Sequence, residues 1–178
     1  MKYYIDKYDA KILVDVNYHL YRNNNKKNLD KIRELCDELG FLLSTTYALV
    51  MPLERVIDYC NHKPSKDTTK LRELLLVDID EGIEASNKIK IDSCPFIENQ
   101  TNISWDLTVP LCCTVIEREN KLLADNFLDI SSVQLKEIKK RQMLCIECMS
   151  LGLPAYNMGF NSAGWRLAAE QKTSTDMD

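Results

Sequence analysis

The chain is poor in the residues that punctuate short strands: its 178 residues hold five glycines and five prolines. That scarcity argues against a sandwich or barrel built from many short strands and tight turns. No repeat of fixed period is present either, which excludes solenoids and propellers. No apolar run reaches the roughly 18 residues that a membrane-spanning helix needs. Met1 leads through Lys2, Tyr3 and Tyr4 into charged residues, with no apolar stretch of signal-peptide length. We therefore expect no export signal, no membrane partner and a cytoplasmic location. The net charge of −4 supplies no overall basic field for nucleic acid or anionic lipid, and leaves only local patches for such partners. Histidine is scarce: His19 and His62 are the only two, and neither has the neighbours of a catalytic triad.

What is present is ordinary globular material, 45% hydrophobic and 28% charged. Its length fits one domain, residues 1–170, with residues 61–110 as a helical or irregular insertion and 171–178 as a frayed tail. Residues 11–17 (KILVDVN) predict a short buried strand. Leu29, Ile32, Leu35, Cys36 and Leu39 recur at helical spacing and stop at Gly40, and residues 41–46 predict a second strand. Such a β-α-β unit gives parallel strands with a covering helix. A helix through Pro52, Leu53, Glu54, Val56, Ile57 and Cys60 follows, with the proline tolerated in its first turn. Leu71, Leu74, Leu75, Ile79 and Ile83 predict one amphipathic helix that continues toward Ile89. Residues 92–110 read as irregular, and 111–126 as either strand or helix. Ser131 or Ser132 can cap a long helix ending at Gly152, with residues 153–156 extended beyond it. The expected fold class is α/β, with a short, largely parallel central sheet and helices on both faces.

Asp15 is the chemically informative residue of the first strand. Read at the carboxyl end of that strand, it lies where open α/β sheets place ligands. A carboxylate there needs a partner: a divalent cation, a basic side chain or a backbone cap.

The stretch ILVDVNYHLY resembles the opening of PIN-domain ribonucleases, in which an apolar strand runs into Asp, a small or branched residue and Asn. The following helix, the strand FLLSTT and the helix carrying Glu54 in ALVMPLERVID are similar to the family's next elements. RQMLCIECMSLGLPAYN resembles its last helix and the turn into its final strand. The resemblance implies a PIN-like fold and a metal-dependent ribonuclease acting on RNA phosphodiesters. Asp15 and Glu54 would be its catalytic residues and would hold Mg²⁺ or Mn²⁺, cations that favour oxygen ligands. Along the same alignment Arg141 occupies the third acidic position and Asn157 and Gly159 flank the fourth, so the acidic site is incomplete. Asp129, Glu137 and Glu147 are the candidate substitutes. Lys139, Lys140 and Arg141, with Lys136, form the most concentrated basic run and are the candidate RNA contacts.

Other constellations have plainer readings. LLLVDIDEG looks superficially like the Asp-x-Asp strand end of haloacid-dehalogenase phosphatases but lacks the Gly-Thr that follows there. Asp78, Asp80 and Glu81 read instead as the solvated face of a helix. Cys145 and Cys148 form a C-x-x-C with no second ligand pair for zinc. Cys112 and Cys113 are adjacent and could not easily coordinate one metal together. The seven cysteines are expected to be free thiols in the core. Trp165 is expected to pin the carboxyl-terminal segment, and Phe160 is a candidate stacking platform. The alternative to a nuclease is a noncatalytic α/β interaction or regulatory protein that binds another protein. A thiol-dependent role for Cys145 and Cys148 is the third reading.

Overall fold

The computed structural model describes residues 1–24, 26–88, 92–116, 121–158 and 163–175. A short helix, α1 (Lys2–Lys7), precedes the β-α-β unit read from the sequence: β1 (Asp15–Leu20), α2 (Lys26–Leu39) and β2 (Leu42–Tyr47). The strands pair in parallel, with Asp15 opposite Leu42 and Leu20 opposite Tyr47. β1 thus begins at Asp15 rather than at residue 11. Gly40, at φ +67°, and the Phe41 amide bonded to Cys36 O (2.9 Å) turn the chain out of α2. β2 then starts at Leu42, whose amide reaches Val14 O at 2.9 Å. Ile12 and Leu13 have no strand to pair with and are 61% and 76% exposed.

The expected central sheet with helices on both faces is reduced to these two strands. Val16, Tyr18 and Leu20 alternate with exposed Asp15, Asn17 and His19. The second set is polar, so it offers no apolar face for a covering helix to bury. The only other strands among the described residues, β3 (Val109–Pro110) and β4 (Leu122–Ala124), form a separate antiparallel pair.

The remainder is helical, and helix makes up about 52% of the structure. α3 (Leu53–Cys60) follows β2. The single helix expected over Leu71–Ile83 is two, α4 (Lys66–Arg72) and α5 (Ile79–Asn87). Asp78 separates them as the α5 N-cap, in a capping box with Glu81. A short α6 (Pro95–Glu98) interrupts the stretch expected to be irregular. The long helix capped by Ser131 breaks at Gln142, which is extended at ψ 128°, into α7 (Ser132–Arg141) and α8 (Met143–Ser150). Residues 153–156, expected to be extended, lie in α9 (Leu153–Asn157). Gly152 at φ +69° starts it and Pro154 sits in its first turn, where a missing N–H costs nothing. α10 (Ala163–Thr175) runs into the stretch read as a tail. Ile89, Gly159 and Phe160 lie outside the described residues.

The core is a cluster of packed helices, with the carboxyl ends of β1 and β2 leaning on it. α5 packs against α9 and α10, so this part of residues 61–110 belongs to the core. Trp165 and Tyr156 are fully buried with ring centroids 5.5 Å apart, and the Trp165 indole N–H donates to Ser86 Oγ at 3.4 Å. Leu20 and Tyr47 are the strand residues that reach this cluster. Among the described residues no helix is long and apolar enough to cross a membrane.

Candidate functional site

The two carboxylates singled out from the sequence stand in different settings. Asp15 is at the amino end of β1, exposed, and both its oxygens accept from Ser44 Oγ, at 2.7 and 2.8 Å. The expectation that it closes a strand at the ligand-binding edge fails because pairing begins, rather than ends, there. Glu54 lies in the first turn of α3, beyond the carboxyl end of β2. Its side chain is 19% exposed and ion-paired with Lys121, and its Oε2 is buried without a hydrogen-bond partner. Six residues of strand rise about 16 Å between the two ends of the sheet.

Two of the three substitute acids are engaged elsewhere. Glu137 pairs with Arg141 at 3.9 Å, Glu147 accepts from Asn61 Nδ2 at 2.8 Å, and Asp129 is exposed in a 3-10 turn. Among the described residues no group of three or more His, Cys, Asp or Glu could hold a metal ion. Mg²⁺ and Mn²⁺ need several oxygen ligands at once, so the described residues do not fit such an ion.

The basic run is also dispersed. Lys139 is 2% exposed and donates to the carbonyls of Phe96 (3.0 Å) and Gln100 (2.7 Å). It cannot meet a phosphate backbone. Lys140 and Lys136 both reach Glu98, at 3.2 and 3.4 Å, and hold its carboxyl below the ordinary carboxylate range. Arg141 is occupied with Glu137, as above. The spacing that made Lys139, Lys140 and Arg141 look continuous places them on different sides of α7.

Asp78 and Glu81 are half-buried and structural rather than part of a solvated face, whereas Asp80 is exposed as expected. Asp78 is forked by Arg72, with Nε to Oδ1 at 2.7 Å. Asp80 accepts from the Tyr59 hydroxyl at 2.5 Å, and Glu81 pairs with Lys172. Burial, then Asp80, raises the Tyr59 hydroxyl to about 12. These contacts tie α3, α4, α5 and α10 together.

Two of the concavities among the described residues share a wall. The open one lies at the carboxyl end of β1 and β2, lined by Asn17, His19, Thr46, Met51, Cys113 and Asn157. The Thr46 hydroxyl donates to Asn17 Oδ1 at 2.8 Å on its floor. The second is apolar and more enclosed, lined by Leu53, Cys94, Cys112, Lys139, Cys145 and Cys148 among others. Thr114 and Asn157 line both. Asn157 is 8% exposed, and its Oδ1 is buried without a hydrogen-bond partner. The turn that separates the cavities is fixed from both sides: Val115 N reaches Cys112 O (3.3 Å), and Thr114 O accepts from Leu53 N (2.8 Å) at the start of α3.

All seven cysteines are free thiols, but they are not uniformly core: Cys36, Cys94 and Cys148 are buried, whereas Cys113 is exposed. Burial pushes Cys94, Cys145 and Cys148 up, Cys145 to about 11. Cys112 and Cys113 lose their protons as a pair. The neighbouring Cys113 and the Thr114 hydroxyl, 3.3 Å from the Cys112 sulfur, hold Cys112 down, and the same pairing pushes Cys113 up. The Cys113 thiol itself donates to Gln100 Oε1 at 3.8 Å. Sequence reasoning gives these two residues no role, because adjacent cysteines are poor partners on one metal. Their signal is adjacency followed by a hydroxyl residue, Cys-Cys-Thr, and it gains meaning only beside Lys139, twenty-odd residues downstream. No family model matches the chain, nor does a curated protein or a solved structure.

Proposed function

We propose that this chain is a noncatalytic α/β interaction protein that engages another protein through its amino-terminal layer. What supports this is the state of residues 1–14. α1 buries none of its residues, and Tyr3, Tyr4, Tyr8, Ile12 and Leu13 are between 61% and 76% exposed. A helix of six residues is not stable alone in water. A parallel pair with one bare face lacks the cover such sheets usually have. A partner that buried these tyrosines and aliphatic side chains would supply both the missing cover and the apolar area of an interface core, where tyrosine is favoured. The bland reading, scattered apolar residues on an ordinary surface, predicts no such partner.

A photo-crosslinking residue placed at Tyr4 separates the two. The expected result is a discrete protein adduct, lost when Tyr3, Tyr8, Ile12 and Leu13 are all changed to serine while the melting temperature holds. Equal capture by the fourfold variant would sink the reading.

The order β1–α2–β2–α3 and the unpartnered Glu54 Oε2 favour a second reading, a PIN-like fold with ribonuclease activity. The sheet is too small to carry that assignment, and Asp15 stands at its wrong end. RNA cleavage that requires Mg²⁺ or Mn²⁺ and disappears in both Asp15→Asn and Glu54→Gln would restore it.

A further inference from the structure

Lys139 is a buried cation with no carboxylate paired to it among the described residues. Its two hydrogen bonds go to neutral carbonyls, those of Phe96 and Gln100. A buried charge without a counter-charge is costly, and burial pushes this ammonium down. The groups lining its cavity that can become anions are the thiols of Cys94, Cys112, Cys145 and Cys148. Of these, Cys112 has a hydroxyl within hydrogen-bond distance of its sulfur, Thr114 Oγ1 at 3.3 Å, which can donate to a thiolate there, and a second thiol, Cys113, next to it in the chain. It is joined to the open cleft through its neighbour, since Cys113 is exposed and lines that cleft, whereas Cys94 and Cys145 face a separate surface cleft beside Glu98 and Lys140.

We propose that Cys112 is a modification site: a nucleophilic thiolate, paired with the Lys139 ammonium, that reduces a small hydroperoxide and then closes a disulfide with Cys113. In the first step the Cys112 sulfur attacks the terminal peroxide oxygen. The O–O bond breaks, sulfur gives up two electrons and becomes a sulfenic acid, and the other oxygen leaves as alkoxide or hydroxide and takes a proton. In the second step the Cys113 thiol attacks that sulfur, forming the S–S bond and releasing water. Asn157 Oδ1, a buried acceptor without a partner in the shared wall, can receive the hydroperoxide O–H. Cys145 and Cys148, the pair with the familiar spacing, are held protonated by burial and are not the reactive thiols.

The test treats the full chain with equimolar hydrogen peroxide, alkylates the remaining thiols and maps each cysteine by mass spectrometry. The peptide holding Cys112 and Cys113 is expected to lose two hydrogens before any other cysteine reacts, with a rate that rises with pH between about 5 and 8. Cys113→Ser is expected to leave one added oxygen on Cys112 that thiol reductants remove. Lys139→Met is expected to slow oxidation about tenfold below pH 6. Should that variant not fold, the wild-type map and Cys113→Ser still decide. Oxidation of Cys94, Cys145 or Cys148 ahead of Cys112 overturns the proposal, as does a Cys112 rate that is flat between about pH 5 and 8.

Discussion

The amino-terminal layer and the carboxyl-terminal helices are built to different standards within one chain. Around Trp165 the packing is dry and interlocked: Trp165, Tyr156 and Ile79 are fully buried, and Gly82 is glycine because two aromatic rings lie against it. In the layer of α1, β1, α2 and β2 the described residues are exposed or half-buried except Cys36 of α2. The sheet joins the two regions through one end alone. Leu20 and Tyr47 at the carboxyl ends lean on the core, with the Tyr47 ring 6.2 Å from Trp165, whereas Asp15 and Leu42 at the amino ends project into solvent. A strand end becomes a site when the core holds it still. Here that end carries His19, Thr46 and the Cys112–Thr114 turn, not Asp15.

If that contrast is right, stability should sit almost wholly in the helical core. Trp165→Ala is expected to cost about 3–5 kcal/mol, a large share of the roughly 5–15 kcal/mol by which an ordinary domain is stable. A milder probe is Gly82→Ala. A Cβ at Gly82 would lie 2.8 Å from both Trp165 Cζ2 and Tyr156 Cε2, and rigid rings cannot rotate aside. Overpacking of this kind costs about 1–3 kcal/mol, although alanine is the better helix former. Urea unfolding with an unchanged slope would check both. A Gly82→Ala protein as stable as the wild type would mean that the core is looser than these distances imply.

The same contrast governs how much could be read from the sequence. The β-α-β unit, the parallel pairing and α3 follow from periodicity and from Gly40, because those signals are local, and the burial of Trp165 follows from its being a large aromatic near the end of the chain. The broken helices were not legible in the same way. Apolar spacing continues from Leu71 to Ile83, and only the cap chemistry of Asp78 and Glu81, answered by Arg72 and Lys172 from elsewhere in the chain, decides the break. Asp15 misled for a related reason: KILV is apolar enough to be a strand, but a strand exists only where a partner pairs with it. Lys139 is the reverse case. It looks like one of a basic run, and only the fold shows it buried against four thiols.

The Arg72–Asp78 fork tests whether the helical core is tied by charge as well as by packing. Asn caps helices about as well as Asp, so Asp78→Asn removes the ion pair and keeps the cap. The loss is expected to be about 1–2 kcal/mol, since the pair is charge-assisted but partly solvated. Burial pushes the Asp78 carboxyl up, yet the Arg72 fork and the Ile79 amide outweigh it and leave it below the ordinary value. A folded value below the unfolded one means that this stability is complete at neutral pH. It is lost as pH falls below about 4 and through the folded value. Wild type and variant should therefore differ at pH 7 and converge in strong acid. A constant gap over that range would assign the difference to capping geometry instead.

The smallest effect is expected at Asp15, the most conspicuous residue of the sequence. It is exposed, its partner is one serine hydroxyl, and the strand end it occupies is far from the core. Asp15→Asn can keep a hydrogen bond to Ser44, so its stability change should stay within about 0.5 kcal/mol. Nor should added Mg²⁺ or Mn²⁺ raise the melting temperature, because a ligand stabilises only a state that binds it. A metal-dependent rise in the wild type that Asp15→Asn removes would give the open end of the sheet a ligand of its own. The division between a packed half that holds the fold and an open half that meets a partner would then have to be redrawn around it.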